Sequence, residues 1–261
     1  QWMYKFSIPV KITNSLRSNM KDELEDGMEV EKFLRKVGFF DARPQFQVVD
    51  DPAYITVNLP SNPNKESGFE VVIRRNLVFG RPENKICSIL SLVQDPIPVD
   101  NIRQSESLLK KVIKEIALNE GRNERVVARD WFSKYFECAI ESLVLLYDAH
   151  GIALEAHLQN SLLDLSDGYP SVYFYRDNQG FYLSKHYADT LKVIDDSLTM
   201  SEMFYDDGKI FEAIAYYVFF NQLFAVMHRL GVDGLVLEPD LIDLVRSRVI
   251  ELKKRLSGIG L

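Results

Sequence analysis

Cysteine is scarce: the 261 residues hold only two, Cys87 and Cys138. They lie far apart and neither sits in a C-x-x-C pair, so a thiolate metal site or redox dithiol is not expected. A four-cysteine iron–sulfur centre is likewise beyond this chain. Cys138 falls inside an apolar helical pattern and reads as core, which makes the reducing cytoplasm the expected setting. Long apolar runs are lacking as well. The longest, Ala213–Val226, is interrupted by Asn221 and Gln222, and no membrane span is expected. Positive charge is not in excess: 31 basic residues face 38 acidic ones, for a net charge of -7. That balance opposes a broad nucleic-acid surface, which needs a basic face, but leaves room for a small cationic pocket. There is no initiator methionine. The chain opens on Gln1-Trp2-Met3, already strand-like, and is expected to begin inside a longer protein.

What is present suits a sizeable core, with 46% of residues hydrophobic. Residues 1–13 alternate as a strand, and Lys5 and Lys11 add positive charge there. Lys21–Glu31 predicts a helix running into Phe33, Leu34 and Val37. Residues 46–59 and 68–79 read as strands, separated by a polar, proline-bearing loop. Ile86–Val93 fits a strand or a short helix. Helical spacing then dominates Ser105–Asn119 and, more strongly, Ala128–Ala149, where Trp131, Phe132, Tyr135 and Phe136 read as core rather than a base-stacking platform. His150-Gly151 is a stop signal. The period next changes to two through Ile152–His157, Asp167-Gly168 signals a turn, and Val172–Tyr175 is strand-like. From about Ser201 the chain is helical, over Ile210–Leu230 and Pro239–Leu256.

Polar groups crowd the segment Gly151–Asp177. On a strand, Glu155, His157 and Gln159 project from one face, and a hairpin brings Asp177 alongside. Two carboxylates with the Asn160 amide form an all-oxygen cluster suited to magnesium, which takes one or two carboxylates and lets phosphates complete its shell. His157 then serves as a phosphate donor or proton shuttle. The plain alternative is a solvated polar strand face.

The motif E-A-H-L-Q-N (Glu155–Asn160), followed by Arg176-Asp177, resembles the signatures of the NRPS-independent siderophore synthetases of the IucA/IucC family. Upstream, Ile12–Arg17 (ITNSLR) is similar to that family's phosphate-binding turn, and the resemblance extends into a C-terminal FhuF-like region. It implies an α+β fold: a mixed, mostly antiparallel sheet (palm-like) over residues 1–200, and a helical C-terminal lobe (thumb-like) over 201–261. It also implies ATP-dependent adenylation of citrate or a related carboxylic acid, then condensation with a polyamine, hydroxamate amine or amino-alcohol. Ser15, Arg17 and Ser18 would hold the triphosphate. Glu155, Asn160 and Asp177 would surround Mg2+, while His157 and Gln159 face phosphate or the reacting carboxylate. Relatives are often homodimers. The family's lysine after a Gly-Pro is missing, because the matching stretch reads Asp26-Gly27-Met28-Glu29, with Lys32 nearby. Arg74 and Arg75 are candidates for a further anion contact. Among Tyr173, Tyr175, Tyr182 and Tyr187, one is a candidate to flank adenine. The N-terminal part of the full enzyme is expected to be absent and the fragment alone inactive. Alternatives are a kinase-like phosphotransferase, which lacks its Gly-rich and H-R-D loops here, and a catalytically silent ATP-binding or dimerisation module.

Overall fold

A computed structural model describes the chain apart from residues 13, 14, 17, 58, 61–66, 81–84, 97–105, 178, 179, 195–202 and 258–261; the side chains of 12, 15, 16, 22 and 26 are also outside the description. The architecture is α+β, and antiparallel pairing prevails. Among the described residues the strands, however, divide into four small sheets. In the first, β1 (Trp2–Phe6) and β5 (Ala53–Ile55) flank β6 (Val71–Arg75). Its register sets Lys5 opposite Val72 and Met3 opposite Arg74, so these four share a face. Helix α1 (Lys21–Lys36) lies against that face through Leu24 and Met28. A short β2 (Lys11–Ile12) pairs with β3 (Ser15–Leu16).

The second sheet has the order β4 (Phe46–Val48), β10 (Val172–Tyr175), β9 (Ser161–Asp164), β7 (Ile86–Ser88). Strand β4 runs parallel to β10 and the other pairs are antiparallel. In the third, β11 (Phe181–Ser184) lies between β8 (Ile152–Leu154) and β12 (Phe204–Tyr205). The expected turn at Asp167-Gly168 does connect a hairpin, β9–β10. The strand expected to run through His157 instead stops at Leu154 and pairs with β11. Beyond it, the amides of Ala156 and His157 turn back onto the carbonyls of Leu154 and Glu155, two residues behind, which ends the extended backbone.

The core helix is one continuous run: α2 (Phe39–Ala42), α3 (Ile89–Val93) and α4 (Leu108–Glu120) precede it, and then α5 (Glu124–Tyr135), a π-helical stretch Phe136–Glu141 and α6 (Ser142–His150) follow without a break. Trp131, Phe132, Tyr135 and Phe136 are buried, as the spacing predicts. The helix stops at Gly151, whose φ of +65° suits glycine, and β8 starts at the next residue. After α7 (Ala188–Ile194), the C-terminal lobe holds α8 (Asp207–Ile214), a second π-helical stretch Ala215–Leu223, α9 (Phe224–Val232) and α10 (Glu238–Lys253).

Asn221 and Gln222 do not interrupt this lobe's first helix. Asp207–Val232 is 26 residues long and, by length and composition only, apolar enough to cross a membrane, a test that core helices of soluble proteins also pass. In the fold it is two-sided. Val218, Leu223, Val226 and Leu230 join the same hydrophobic cluster as Phe33, Trp131 and Tyr173, while Tyr216, Phe220 and Phe224 face outward.

Candidate functional site

The polar segment after β8 is a compact turn, not a strand face. Glu155 N–H donates to the Gly180 carbonyl at 2.8 Å, and Asn160 N–H closes a turn on the His157 carbonyl at 3.0 Å. Gly180 leaves no room for a side chain: a Cβ there would lie 2.6 Å from the Tyr175 hydroxyl and 2.8 Å from the Glu155 Cβ. Its lack of a side chain is what lets Glu155 and the end of β10 approach each other.

Asn160 is the joint of the cluster. Its buried carboxamide Nδ2 donates to the Glu155 carbonyl at 3.2 Å and to Asp177 Oδ2 at 3.1 Å. The Asn160 carbonyl in turn accepts from Arg176 N–H. Glu155, through its backbone carbonyl, Asn160 and Asp177 are thus brought together by a turn and two strand ends rather than by one strand face. Gln159 is exposed on the same turn. His157 is half-buried, with its ring 6.1 Å from that of Tyr217.

Positive charge meets this cluster from the first sheet. Lys5 Nζ lies 3.7 Å from Asp177 Oδ1. Arg74 forks onto Asp51 at 2.6 and 2.7 Å. Burial pulls the Arg74 guanidinium down, but the bond to Asp51 outweighs it and keeps the arginine charged. Arg74 is therefore a half-buried, paired group rather than an open anion ligand, and Arg75 pairs at the surface with Asp50. Half-buried Arg176 is held below the ordinary arginine range by burial and by Arg74.

Arg17 lies outside the described residues, and so does the side chain of Ser15, which sits on β3. Ser18 is half-buried. Its neighbour Asn19 fixes where this segment goes. The buried Asn19 carboxamide donates to the carbonyls of Lys5 (3.1 Å) and Glu70 (2.9 Å), so residue 18 is carried to the strand that bears Lys5. Lys32, by contrast, pairs with Glu29 on the exposed side of α1.

Among the tyrosines, Tyr173, Tyr175 and Tyr187 are buried in the core. Tyr182 is half-buried and rests against Tyr205 and Tyr217. Tyr217, from the π-helical stretch, had no signal beyond an apolar helical pattern. Burial, the Tyr182 hydroxyl and the nearby Glu155 charge all push its hydroxyl up, so it stays a proton-bearing donor at neutral pH. Lys5, Asn19, Asp51 and Tyr217 went unassigned in the sequence because each is far from the motif in the chain.

Among the described residues, no three His, Cys, Asp or Glu side chains gather as a metal site. The Asp177 carboxylate touches the Asn160 carboxamide, while Glu155 joins them through its backbone carbonyl. A separate groove of about 600 Å³ lies at the opposite end of β9, walled by Lys85, Leu108, Lys111, Ile116 and Gly168, and includes none of these residues.

Residues 129–259 match the family described as the ferric iron reductase FhuF-like transporter, and residues 1–94 match the IucA / IucC family. A spermidine–citrate ligase of Bacillus anthracis is 37% identical over 252 residues, which is 95% of this chain and 40% of the ligase. The rhizobactin siderophore biosynthesis protein RhbC of Rhizobium meliloti is 31% identical over 256 residues, or 97% of this chain and 43% of RhbC. ATP-bound aerobactin synthetase IucA from Klebsiella pneumoniae superposes with a TM-score of 0.88 at 25% identity, covering 98% of this chain and 45% of that one. The chain thus spans less than half the length of the relatives it matches. By these likenesses the chain belongs to the IucA/IucC family of siderophore synthetases, with the FhuF-like region over residues 129–259.

Proposed function

We propose that this chain is part of an ATP-dependent ligase that activates a carboxylate of citrate, or of a related acid, and joins it to an amine or hydroxyl. The observation that carries this reading is the meeting of Glu155, Asn160 and Asp177 in a chain 37% identical to a spermidine–citrate ligase. The likeness to an ATP-bound aerobactin synthetase supports ATP as co-substrate.

In this reading Ser15, Arg17 and Ser18 hold the triphosphate, and Asn19 holds that segment against β1. Glu155, Asn160 and Asp177 would hold Mg2+, since oxygen donors with one or two carboxylates are the set that ion takes. Bound there, Mg2+ supplies charge neutralisation to the phosphates. Lys5 adds a cation beside Asp177. Two displacements follow. A carboxylate oxygen of the acid bonds to the α-phosphorus as the α–β bridging bond breaks and pyrophosphate leaves. The nucleophile then bonds to the acyl carbon, loses its proton, and AMP leaves. His157, with Gln159, faces the phosphate or the reacting carboxylate and shuttles that proton. The protein's contribution is positioning and charge stabilisation. Residues 1–200 and 201–261 serve as palm and thumb, and the remaining length found in relatives supplies the rest of the cleft. This chain alone is therefore inactive in the complete reaction.

Iron reduction at an iron–sulfur centre does not fit the FhuF-like region. Residues 129–259 contain one cysteine, buried Cys138, whereas iron–sulfur ligation normally takes four.

Calorimetric titration of the chain with ATP, with and without Mg2+, tests the reading. Binding that strengthens with Mg2+ and weakens in Glu155→Gln is expected. Binding in neither condition would leave a silent module. Citrate-dependent pyrophosphate release by the chain alone would overturn its proposed dependence on the rest of the enzyme.

A further inference from the structure

Four fully buried polar side chains lie behind the candidate site: Tyr135, Ser161, Tyr173 and Gln222. They come from α5, β9, β10 and the π-helical stretch of the C-terminal lobe. Ser161 Oγ lies within hydrogen-bond distance of four groups: the His157 carbonyl (2.9 Å), the Ala156 carbonyl (3.3 Å), the Tyr173 hydroxyl (2.8 Å) and the Gln222 carboxamide (2.8 Å). One hydroxyl has one hydrogen to give. If the Gln222 oxygen faces Ser161, the serine must choose between that oxygen and the His157 carbonyl. In that orientation Gln222 Nε2 and the Tyr135 hydroxyl both stay buried without a partner. Leaving a buried polar group orphaned is costly.

Turning the carboxamide by 180° keeps its shape and lifts the competition between Gln222 and the His157 carbonyl for the Ser161 hydrogen. Nε2 then donates to Ser161 Oγ, and the amide oxygen turns toward the Tyr135 hydroxyl that lies against it. Ser161 is free to donate to the His157 carbonyl while accepting from Tyr173. The result is a directed relay, Tyr135 to Gln222 to Ser161 to the His157 backbone.

The helix geometry explains why Gln222 is available for it. On an α-helix, advancing about 100° per residue, Asn221 stands near the face of Tyr217 but Gln222 stands about 140° away from it. The wider i→i+5 turn of the Ala215–Leu223 stretch brings residue 222 back over residue 217. All three then address one turn. Tyr217 meets His157, the Asn221 side-chain oxygen accepts from Leu158 N–H at 3.4 Å, and Gln222 reaches Ser161.

We infer that Gln222 is a positioning residue: through Ser161 it holds the 157–160 turn in the shape that keeps Glu155, Asn160 and Asp177 together, and so couples the C-terminal lobe to the site. The consequence for nucleotide binding rests on the function proposed above; the ordering of the turn does not.

The test uses the 261-residue chain with Gln222→Leu, Ser161→Ala and both together. Hydrogen exchange at Leu158–Asn160 should rise roughly tenfold or more in each variant while α4 keeps its protection. Affinity for Mg2+–ATP should fall roughly tenfold, as for loss of a group that orients a ligand. Affinity for ATP without metal should change much less. The double variant should be no worse than the worse single one, because both cut the same link. Lower melting temperatures with unchanged exchange at 158–160 and unchanged Mg2+–ATP affinity would overturn the proposal and leave Gln222 a packing residue. Should Gln222→Leu fail to fold, Ser161→Ala decides by the same two readouts. Should the unaltered chain bind no nucleotide, the function reading fails, and exchange at 158–160 still decides the relay.

Discussion

Asn160 shows how much one side chain organises here. Its carboxamide satisfies the Glu155 carbonyl and one oxygen of Asp177, while its own carbonyl receives Arg176 N–H. Asn160→Ala should cost about 1–3 kcal/mol, the range for leaving a buried acceptor unpaired, and denaturant melts would measure it. The same variant should weaken Mg2+–ATP binding, since it releases Asp177 from Glu155. Unchanged stability would mean that solvent replaces the amide and that the cluster is more open than its geometry implies. At this scale the grouping of Glu155, Asn160 and Asp177 was expected from the motif's resemblance to the family, whereas residue type and spacing alone left a solvated strand face open. The roles of Lys5 and Asn19 were not legible. Nothing local marks Lys5 as the partner of Asp177, because that pairing exists only once β1 lies against β6 and the first sheet meets the end of β10.

At the scale of elements, the helices were legible because their apolar period is long and repeated. The spacing in Ala128–Ala149 and Ile210–Leu230 predicts continuous helices, and both are found, although nothing in the pattern signals their π-helical stretches. Short strands carry less information. The alternation through Ile152–His157 gave a strand of the right type but twice its true length, and the wrong partner. Pairing of β10 with β4, distant in sequence and parallel, has no local signature at all. Gly151 shows where the two element types meet: it ends α6 with φ +65° and starts β8 at the next residue. A Cβ on it would fall 2.5 Å from the Tyr187 ring. Gly151→Ala should therefore destabilise by about 1–3 kcal/mol through backbone strain, with further cost from the clash. Thermal melts would check this. A neutral result would show that α6 and β8 tolerate a different joint.

At the scale of the whole molecule, the site is assembled from many separate stretches: β1 brings Lys5, β6 brings Arg74, the ends of β8 and β10 bring Glu155 and Asp177, and the C-terminal lobe brings Tyr217. The net charge of -7 hides this local meeting of cations and acids. The central claim is that the acids gathered around Asn160 are where the chain holds metal and nucleotide. Paramagnetic Mn2+ with ATP, followed by amide NMR line broadening, tests that location directly. The account predicts that signals of Glu155, His157, Asn160 and Asp177 broaden first, only when ATP is present, while Lys111 and Gly168 in the groove at the far end of β9 stay sharp. Broadening centred on that groove, or none at any site with ATP and Mn2+ together, would contradict it.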